Sequence, residues 1–352
     1  MSAVEKSERA APGTPRVSVL MSVYNAERYL REAIESILAQ TLDDFEFIIV
    51  EDGSTDWSKQ IIAEYAQRDV RVLPVWNVSN LGLTKSLNRG LDKARGVYIA
   101  RQDADDRSLP ERLQKQAAFL DAHPEVGLVG SWFMRMTEAG QPLHVIETPV
   151  ADQAIRLKLF TRGNAFAHGS VMFRRECVEK VGGYREQFSY AEDYDLWLRI
   201  ADRYGVANLP EPLYWWRSTA SSKSVLGRDL QDGEVALALE LARERREHGQ
   251  DRIQRGENVG PANVDLKNLR VDRKTLAENF RVWGVDYYKR RCYWEAFRFL
   301  SRAVMRDPLR MELWRLTAGA ALRGLTKPRT CLLYTSDAAD DLLCVDLGGR
   351  RI

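Results

Sequence analysis

Three acidic clusters hold the residue types and spacings that could do chemistry. They are Glu51-Asp52-Gly53-Ser54-Thr55-Asp56, Asp103-Ala104-Asp105-Asp106 and Glu192-Asp193-Tyr194-Asp195. The first ends the apolar run 45–50, and the second follows Val97-Tyr98-Ile99-Ala100. Carboxylates at the C-terminal ends of buried strands lie where an open α/β sheet builds its ligand crevice. A carboxylate in the position of Asp52 can accept the N–H of a pyrimidine ring, and Tyr24 is placed to stack on a base. Asp103-x-Asp105 suits a divalent cation, Mg²⁺ or Mn²⁺, which neutralises a diphosphate and stabilises a leaving nucleotide. Glu192-Asp193 offers a carboxylate that can take a proton from an attacking hydroxyl. Each cluster also has a structural reading. Asp52-Gly53-Ser54 is good turn chemistry, Asp103–Asp106 can cap the helix that follows, and acids are favoured in the first turn of a helix at 194–204.

The elements that must position these groups alternate. Val17–Val23 reads as a strand that Tyr24-Asn25 ends, and 27–40 carries Leu30, Ala33, Ile34, Ile37 and Leu38 at helical spacing. Strands are expected at 45–50, 70–75 and 97–101, and helices at 59–67 and 83–94. This β-α-β-α-β-α-β order implies a mostly parallel, Rossmann-like sheet with helices on both faces. Further along, 110–122 is helical, 126–136 a strand, Gln141-Pro142 a turn and 170–173 a short strand. The helix 175–181 stops at Gly182-Gly183, 194–204 is helical, and Pro210 and Pro212 punctuate the chain. After about residue 225 the character changes. Residues 230–247 form a charged amphipathic helix, 249–271 are loop-like, and helices follow at about 273–290, 293–306 and 310–324. Phe280, Gly284, Tyr287, Ala296, Leu300, Ala303 and Pro308 fall at spacings that resemble one tetratricopeptide repeat. One repeat cannot bury its face alone, so a small helical accessory region is expected.

Tyr24-Asn25, the two acidic strand ends, Asn80-Leu81-Gly82 and Ser86-Leu87-Asn88-Arg89-Gly90 together resemble the family 2 glycosyltransferases of the GT-A fold, over about residues 16–220. The missing GxGxxG after the first strand disfavours a dinucleotide-binding dehydrogenase or a methyltransferase. The resemblance implies an inverting transfer of sugar from a nucleotide-sugar donor, a UDP-sugar by preference, to a hydroxyl acceptor. It implies that Asp52 and Tyr24, with Asn25, hold the base, that Asp103 lies on the ribose side, and that Asp105 ligates the metal. It places the catalytic base on Asp193, with Glu192 binding acceptor or tuning the base. It puts His168-Gly169-Ser170 near the acceptor or the diphosphate. Asp195 is assigned to structure. Trp197, Trp215 and Trp216 offer aromatic faces to a sugar or belong to the core. The chain departs from the family pattern in two places. Leu87 stands where many members have Arg, which leaves Lys85 as the replacement nucleotide contact. Ser218–Ser222 stands where many have a metal-side His, which leaves Arg217 to neutralise the diphosphate.

The rest of the sequence sets bounds. Lys and Arg number 52 against 50 Asp and Glu, a formal charge of +2, and the balance is too mild to argue for nucleic acid. Residues 1–16 are polar, without a signal-like apolar core, and are expected to be disordered. No apolar run reaches the roughly 18 residues of a spanning helix. Residues 331–352 resemble a translated sequencing-library adapter, a non-native tail set aside from the fold. The expected domains are then 17–225, the sugar-transfer unit, and 226–330, the helical accessory region. The expected setting is cytoplasmic, with a saccharide or lipid-linked acceptor; the basic stretch 243–246 interleaves with acids and reads first as a solvated helix face, with a peripheral contact at the inner membrane face as the alternative. A non-catalytic scaffold and a nucleotidyltransferase are the competing readings. The intact acidic clusters count against the first and the missing Gly-rich phosphate loop against the second.

Overall fold

The computed structural model describes residues 13–161, 163–219, 228–259 and 273–326. The adapter-like tail, residues 1–12 of the N-terminal stretch and residues 220–222 lie outside the described residues.

The first half alternates strand and helix: β1 (Val17–Val23), α1 (Glu27–Leu38), β2 (Phe45–Glu51), α2 (Ser58–Arg68), β3 (Val72–Trp76), α3 (Leu83–Leu91) and β4 (Tyr98–Asp103). All of its strand pairings are parallel, in the order β3-β2-β1-β4. β1, β2 and β4 are buried on both faces, which is why they read as continuous apolar runs, whereas the edge strand β3 is only partly buried. Val17, Val19, Met21 and Val23 of β1 pack with Leu30, Ala33, Ile34 and Ile37 of α1, whereas Leu20 packs on the opposite face with Leu87 of α3. Each of these Val, Leu, Ile and Met side chains contributes roughly 1.5–3 kcal/mol on burial.

The second half is mixed. It holds β5 (Arg107–Ser108), α4 (Arg112–Ala122), β6 (Val126–Met136), β7 (Pro142–Ile146), α5 (Asp152–Thr161), β8 (Met172–Arg174), α6 (Arg175–Val181), α7 (Glu192–Ala201) and β9 (Gly205–Arg217). The path continues β4-β8-β6-β9-β5 with β7 on β6, making a nine-stranded sheet among the described residues. Here only β6 and β9 run parallel, so parallel pairing dominates the first half alone. β9 runs through Pro210 and Pro212, where the sequence predicts a break. The ladder slips at this point, and prolines are tolerated where a ladder is interrupted. α5 escapes the periodicity because only Ile155 and Leu159 of its ten residues are buried.

α8 (Arg228–His248) lies along α7, with Leu237, Ala238, Leu241 and Ala242 in the same core as Leu196, Trp197 and Ile200. The helices α9 (Arg273–Lys289), α10 (Tyr293–Arg306) and α11 (Met311–Thr326) enclose a separate core. It includes Phe280, Tyr287, Ala296, Leu300 and Ala303, joined by Leu143 from β7. Arg135 of β6 docks this unit: its guanidinium lies 4.1 Å from the Trp283 ring and 4.9 Å from that of Tyr287 and pairs with Asp286.

Candidate active site

The strand registers bring the acidic ends level. Val23 pairs with Glu51 and Ser22 with Asp103, so Tyr24, Asp52 and Asp103 share one edge of the sheet. Tyr24 is half exposed there. Asp52 is buried, and its carboxylate organises the loop beside it. Oδ1 accepts from Asn77 Nδ2 at 2.7 Å and from the Leu81 N–H at 2.8 Å; Oδ2 accepts from the Gly82 N–H at 2.9 Å. A carboxylate has about four acceptor positions, so Oδ2 keeps one for a ligand N–H. Asn25 has φ 50°, and its side-chain carbonyl accepts from the Thr55 N–H at 2.8 Å. Its amide oxygen is thus committed to holding the first acidic loop. That loop also joins two helix starts, because Asp56 accepts the Glu27 N–H at 3.0 Å and Glu27 accepts the Trp57 N–H at 2.9 Å. Lys85 is exposed on α3, 3.6 Å from Glu186.

The second cluster sits against cations that the sequence reading missed. Arg101, 1% exposed, donates to Asp103 Oδ1 at 2.7 Å. Burial disfavours the Arg101 cation, but Asp103, Tyr184, Tyr214 and Glu192 outweigh it and leave its pKa above the usual value. Burial, and then the neighbouring Asp103, push the Asp105 carboxyl up to about 6. Asp106 is buried, accepting the Tyr214 hydroxyl at 2.8 Å and the Arg217 N–H at 2.6 Å; burial and then Asp105 raise its pKa well above the carboxylate range. Arg217 corrects an expectation. Its guanidinium is buried, donates to the Asp105 carbonyl at 2.7 Å and the Glu138 carbonyl at 3.0 Å, pairs with Glu32 and covers the Tyr29 ring at 4.5 Å. It braces the acidic loop from behind and does not face a diphosphate.

Among the described residues no group of three or more His, Cys, Asp or Glu side chains gathers as a metal cage. A Mg²⁺-type ion needs only one or two protein carboxylates when substrate phosphates complete its shell. Asp105 fits such an ion, because it stands between the Asp103 and Asp106 carboxylates in one short loop, where a cation relieves the concentrated negative charge.

The third cluster lies near the second, since Asp103 and Glu192 both act on Arg101. Asp193 accepts from Asn164 Nδ2 at 2.8 Å and from the Tyr194 N–H at 2.7 Å, and it is partly exposed. Glu192 is buried beside it in the first turn of α7, which starts two residues earlier than the sequence suggests. Asp195 lies fully buried between Arg199 at 2.8 Å and Arg185 at 3.3 Å. His168 Nε2 and the Tyr184 hydroxyl are 3.0 Å apart, and the His168 ring also meets Trp197. Tyr184 marks the convergence. Burial drives its pKa well up, Arg101 opposes this, and Asp193, Glu192 and Asp103 add to it. The tryptophans serve packing. Trp197 is fully buried, Trp216 meets Trp283 with ring centres 5.6 Å apart, and Trp215 lies under Arg107.

The glycosyltransferase EpsE of Bacillus subtilis, so named, is 41% identical over 204 residues, spanning 57% of this chain and 72% of that protein. The family model for glycosyl transferase family 2 matches residues 18–182. The chain belongs to glycosyltransferase family 2. Another similar protein is the amylovoran biosynthesis glycosyltransferase AmsE of Erwinia amylovora, 38% identical over 202 residues, covering 56% of this chain and 74% of its own. Two solved structures share the fold of this glycosyltransferase. S. aureus TarS 1–349 in complex with UDP has a TM-score of 0.53 at 18% identity and 88% coverage of each chain. The Pyrobaculum calidifontis mannosyltransferase PcManGT, in complex with GDP-Man and Mn²⁺, has a TM-score of 0.50 at 18% identity, covering 92% of this chain and 86% of its own. The fold is therefore GT-A, a mixed curled sheet flanked by helices and followed by C-terminal helices.

Proposed function

We propose that this family 2 enzyme transfers a sugar, with inversion, from a UDP-sugar to a hydroxyl acceptor in the assembly of cell-surface polysaccharide or lipopolysaccharide. The observation that carries the reading is the convergence of Asp103, Glu192 and Asp193 on Tyr184 and Arg101. A donor-side carboxylate and a base-side pair near one another suit displacement at one carbon. Tyr24 and Asp52, with Asn25 and Lys85, hold the nucleoside; Asp103 binds on the ribose side and His168 lies toward the diphosphate. Asp105 holds Mg²⁺ or Mn²⁺, which when bound neutralises the leaving diphosphate. Asp193 takes the acceptor proton, and Asn164 and the Tyr194 N–H orient its carboxylate for that step.

The pathway is supported by the naming of AmsE in amylovoran biosynthesis. Among the described residues no helix is long and apolar enough to cross a membrane. We place the enzyme in the cytoplasm, where nucleotide sugars are made, with a peripheral contact to a membrane that carries a lipid-linked acceptor.

The test combines two measurements. Thermal unfolding with UDP, GDP, dTDP or CMP, with and without Mn²⁺, should show a metal-dependent rise for UDP. Asp193→Asn should lower turnover about 10²- to 10⁴-fold while keeping that rise. A folded Asp193→Asn protein that turns over normally removes Asp193 from the role of base. A chain stabilised by none of the nucleotides removes the donor reading.

A further inference from the structure

Glu234 of α8 reaches into the wall of the site. Its carboxylate is 4% exposed. Oε2 accepts the main-chain N–H groups of Ser189 at 2.9 Å, Tyr190 at 2.7 Å and Ala191 at 2.9 Å, and Oε1 also accepts that of Ser189, at 3.0 Å. Gln231, one turn earlier on α8, donates to the Tyr190 carbonyl at 3.1 Å. Successive N–H groups aimed at one point form a concave cradle for an anion. Here the cradle holds the chain's own carboxylate.

The cradle ends where α7 begins. Ala191 is the residue before the helix, it carries no side-chain cap, and its carbonyl accepts the Asp195 N–H at 3.0 Å. Two residues further on is Asp193. At the other end of α7, Asp202 caps the helix and binds Arg245 of α8 at 2.7 Å. Arg245 also meets Asp251, which in turn holds Arg185 at 2.8 Å, and Arg185 reaches Asp195. α8 therefore grips α7 at both ends, by an acid at the start and a base at the finish, with an apolar seam between them.

We infer that Glu234 is a positioning residue for sugar transfer: it fixes Ser189–Ala191 so that Asp193 faces the acceptor hydroxyl. The inference rests on the reading of Asp193 as base. A carboxylate suits the task because both of its oxygens accept. Glutamine presents one acceptor, and its amide N–H groups oppose the main-chain donors. α8 is then part of the catalytic machinery, although it follows the motifs that define the sugar-transfer fold.

The experiment compares the full chain as wild type, Glu234→Gln, Glu234→Ala and Asp193→Asn. UDP release from UDP-glucose, UDP-galactose and UDP-N-acetylglucosamine gives kcat and donor KM, and UDP with Mn²⁺ gives a thermal shift. Hydrogen exchange of the peptide over 188–195 reports on the cradle without needing turnover. A small misplacement of a reacting group costs on the order of 10²-fold. Glu234→Gln should therefore lower kcat about 10- to 100-fold while donor KM and the UDP shift stay within about twofold. Exchange at 189–191 should quicken while that of β1 and β4 stays unchanged. Unchanged kcat in a folded Glu234→Gln protein, or unchanged exchange at 189–191, overturns the inference. Loss of kcat and UDP binding together also overturns it, since that marks general damage. If Glu234→Ala does not fold, the glutamine variant decides. An inactive Asp193→Asn beside a fully active Glu234→Gln leaves the base in place and removes only the positioning role. A fully active Asp193→Asn removes both.

Discussion

Arg101 and Asp103 lie two residues apart on β4, and the guanidinium of one donates to the carboxylate of the other at 2.7 Å. Residues i and i+2 share a face of a strand, so the strand itself sets this pair. Arg101 carries the charge that lets the second and third acidic clusters approach each other, since both Asp103 and Glu192 stabilise its cation.

Replacing Arg101 by Met should therefore destabilise the fold and weaken UDP binding together. Breaking a fully buried pair costs roughly 3–5 kcal/mol. The Asp103 side chain keeps 30% of its exposure and can recover water, so about 2 kcal/mol is expected. Chemical denaturation measures it. A midpoint equal to that of the wild type would mean that the pair contributes nothing.

Asp105 sets a pH dependence. Its folded pKa, about 6, stands above the ordinary 3.8. In the metal-free protein its contribution to stability is greatest below the unfolded value and is lost as pH rises through about 6, because ionisation then occurs in a desolvated setting and beside Asp103. A bound cation needs the ionised form, so the sign reverses with Mn²⁺ present. Thermal unfolding with UDP at pH of about 5 and about 7.5 should show the larger Mn²⁺ increment at the higher pH. Equal increments at both would take the metal away from Asp105.

Gly53 has φ +70°, and a Cβ there would stand 2.6 Å from the Asn80 nitrogen. Gly53→Ala should thus displace the 79–82 segment, whose N–H groups at Leu81 and Gly82 bind Asp52. We expect a loss of about 1–3 kcal/mol and weaker nucleotide binding. Isothermal titration with UDP and Mn²⁺ checks it, and a wild-type dissociation constant would show that the loop is not part of the donor site.

Much of this geometry was legible beforehand. β1, β2 and β4 announce themselves because both of their faces are buried, and the acidic ends follow from where β2 and β4 stop. The partners of the acids were not legible. Arg101 ends the expected strand 97–101 with nothing local to mark it as buried, and only the folded sheet shows Tyr184 and Tyr214 beside it. A buried arginine at a strand end next to an acidic pair is the signal that would have found it. Glu234 lies 41 residues beyond Asp193, and no local pattern links them. Arg217 was assigned to a diphosphate because nothing in the sequence shows its guanidinium buried against Glu32, Glu138 and Tyr29.

Trp283→Ala tests the docking of the C-terminal helices. The ring fills the space between Arg135, Trp216 and Phe299. Trp-to-Ala changes in full cores cost roughly 3–5 kcal/mol; for this half-buried ring about 2 kcal/mol is expected. Limited proteolysis should release the unit from α9 onward more readily. Unchanged protection would show that Arg135 alone anchors it.

The slip in β9 governs which residues can serve the site at all. Between the pairs Ser131–Leu209 and Phe133–Tyr214, β9 advances five residues while β6 advances two. The excess is odd, and side chains alternate sides along a strand. The prolines thus act as a phase inverter: upstream and downstream halves of one strand present opposite parity to the sheet. The Tyr214 side chain reaches Asp106 only in the inverted phase, whereas Arg217 binds Asp106 through its main-chain N–H. Evolution can therefore vary the identity of residues 210–213 far more freely than their number, since one residue more or fewer would turn the Tyr214 side chain away from the acidic loop.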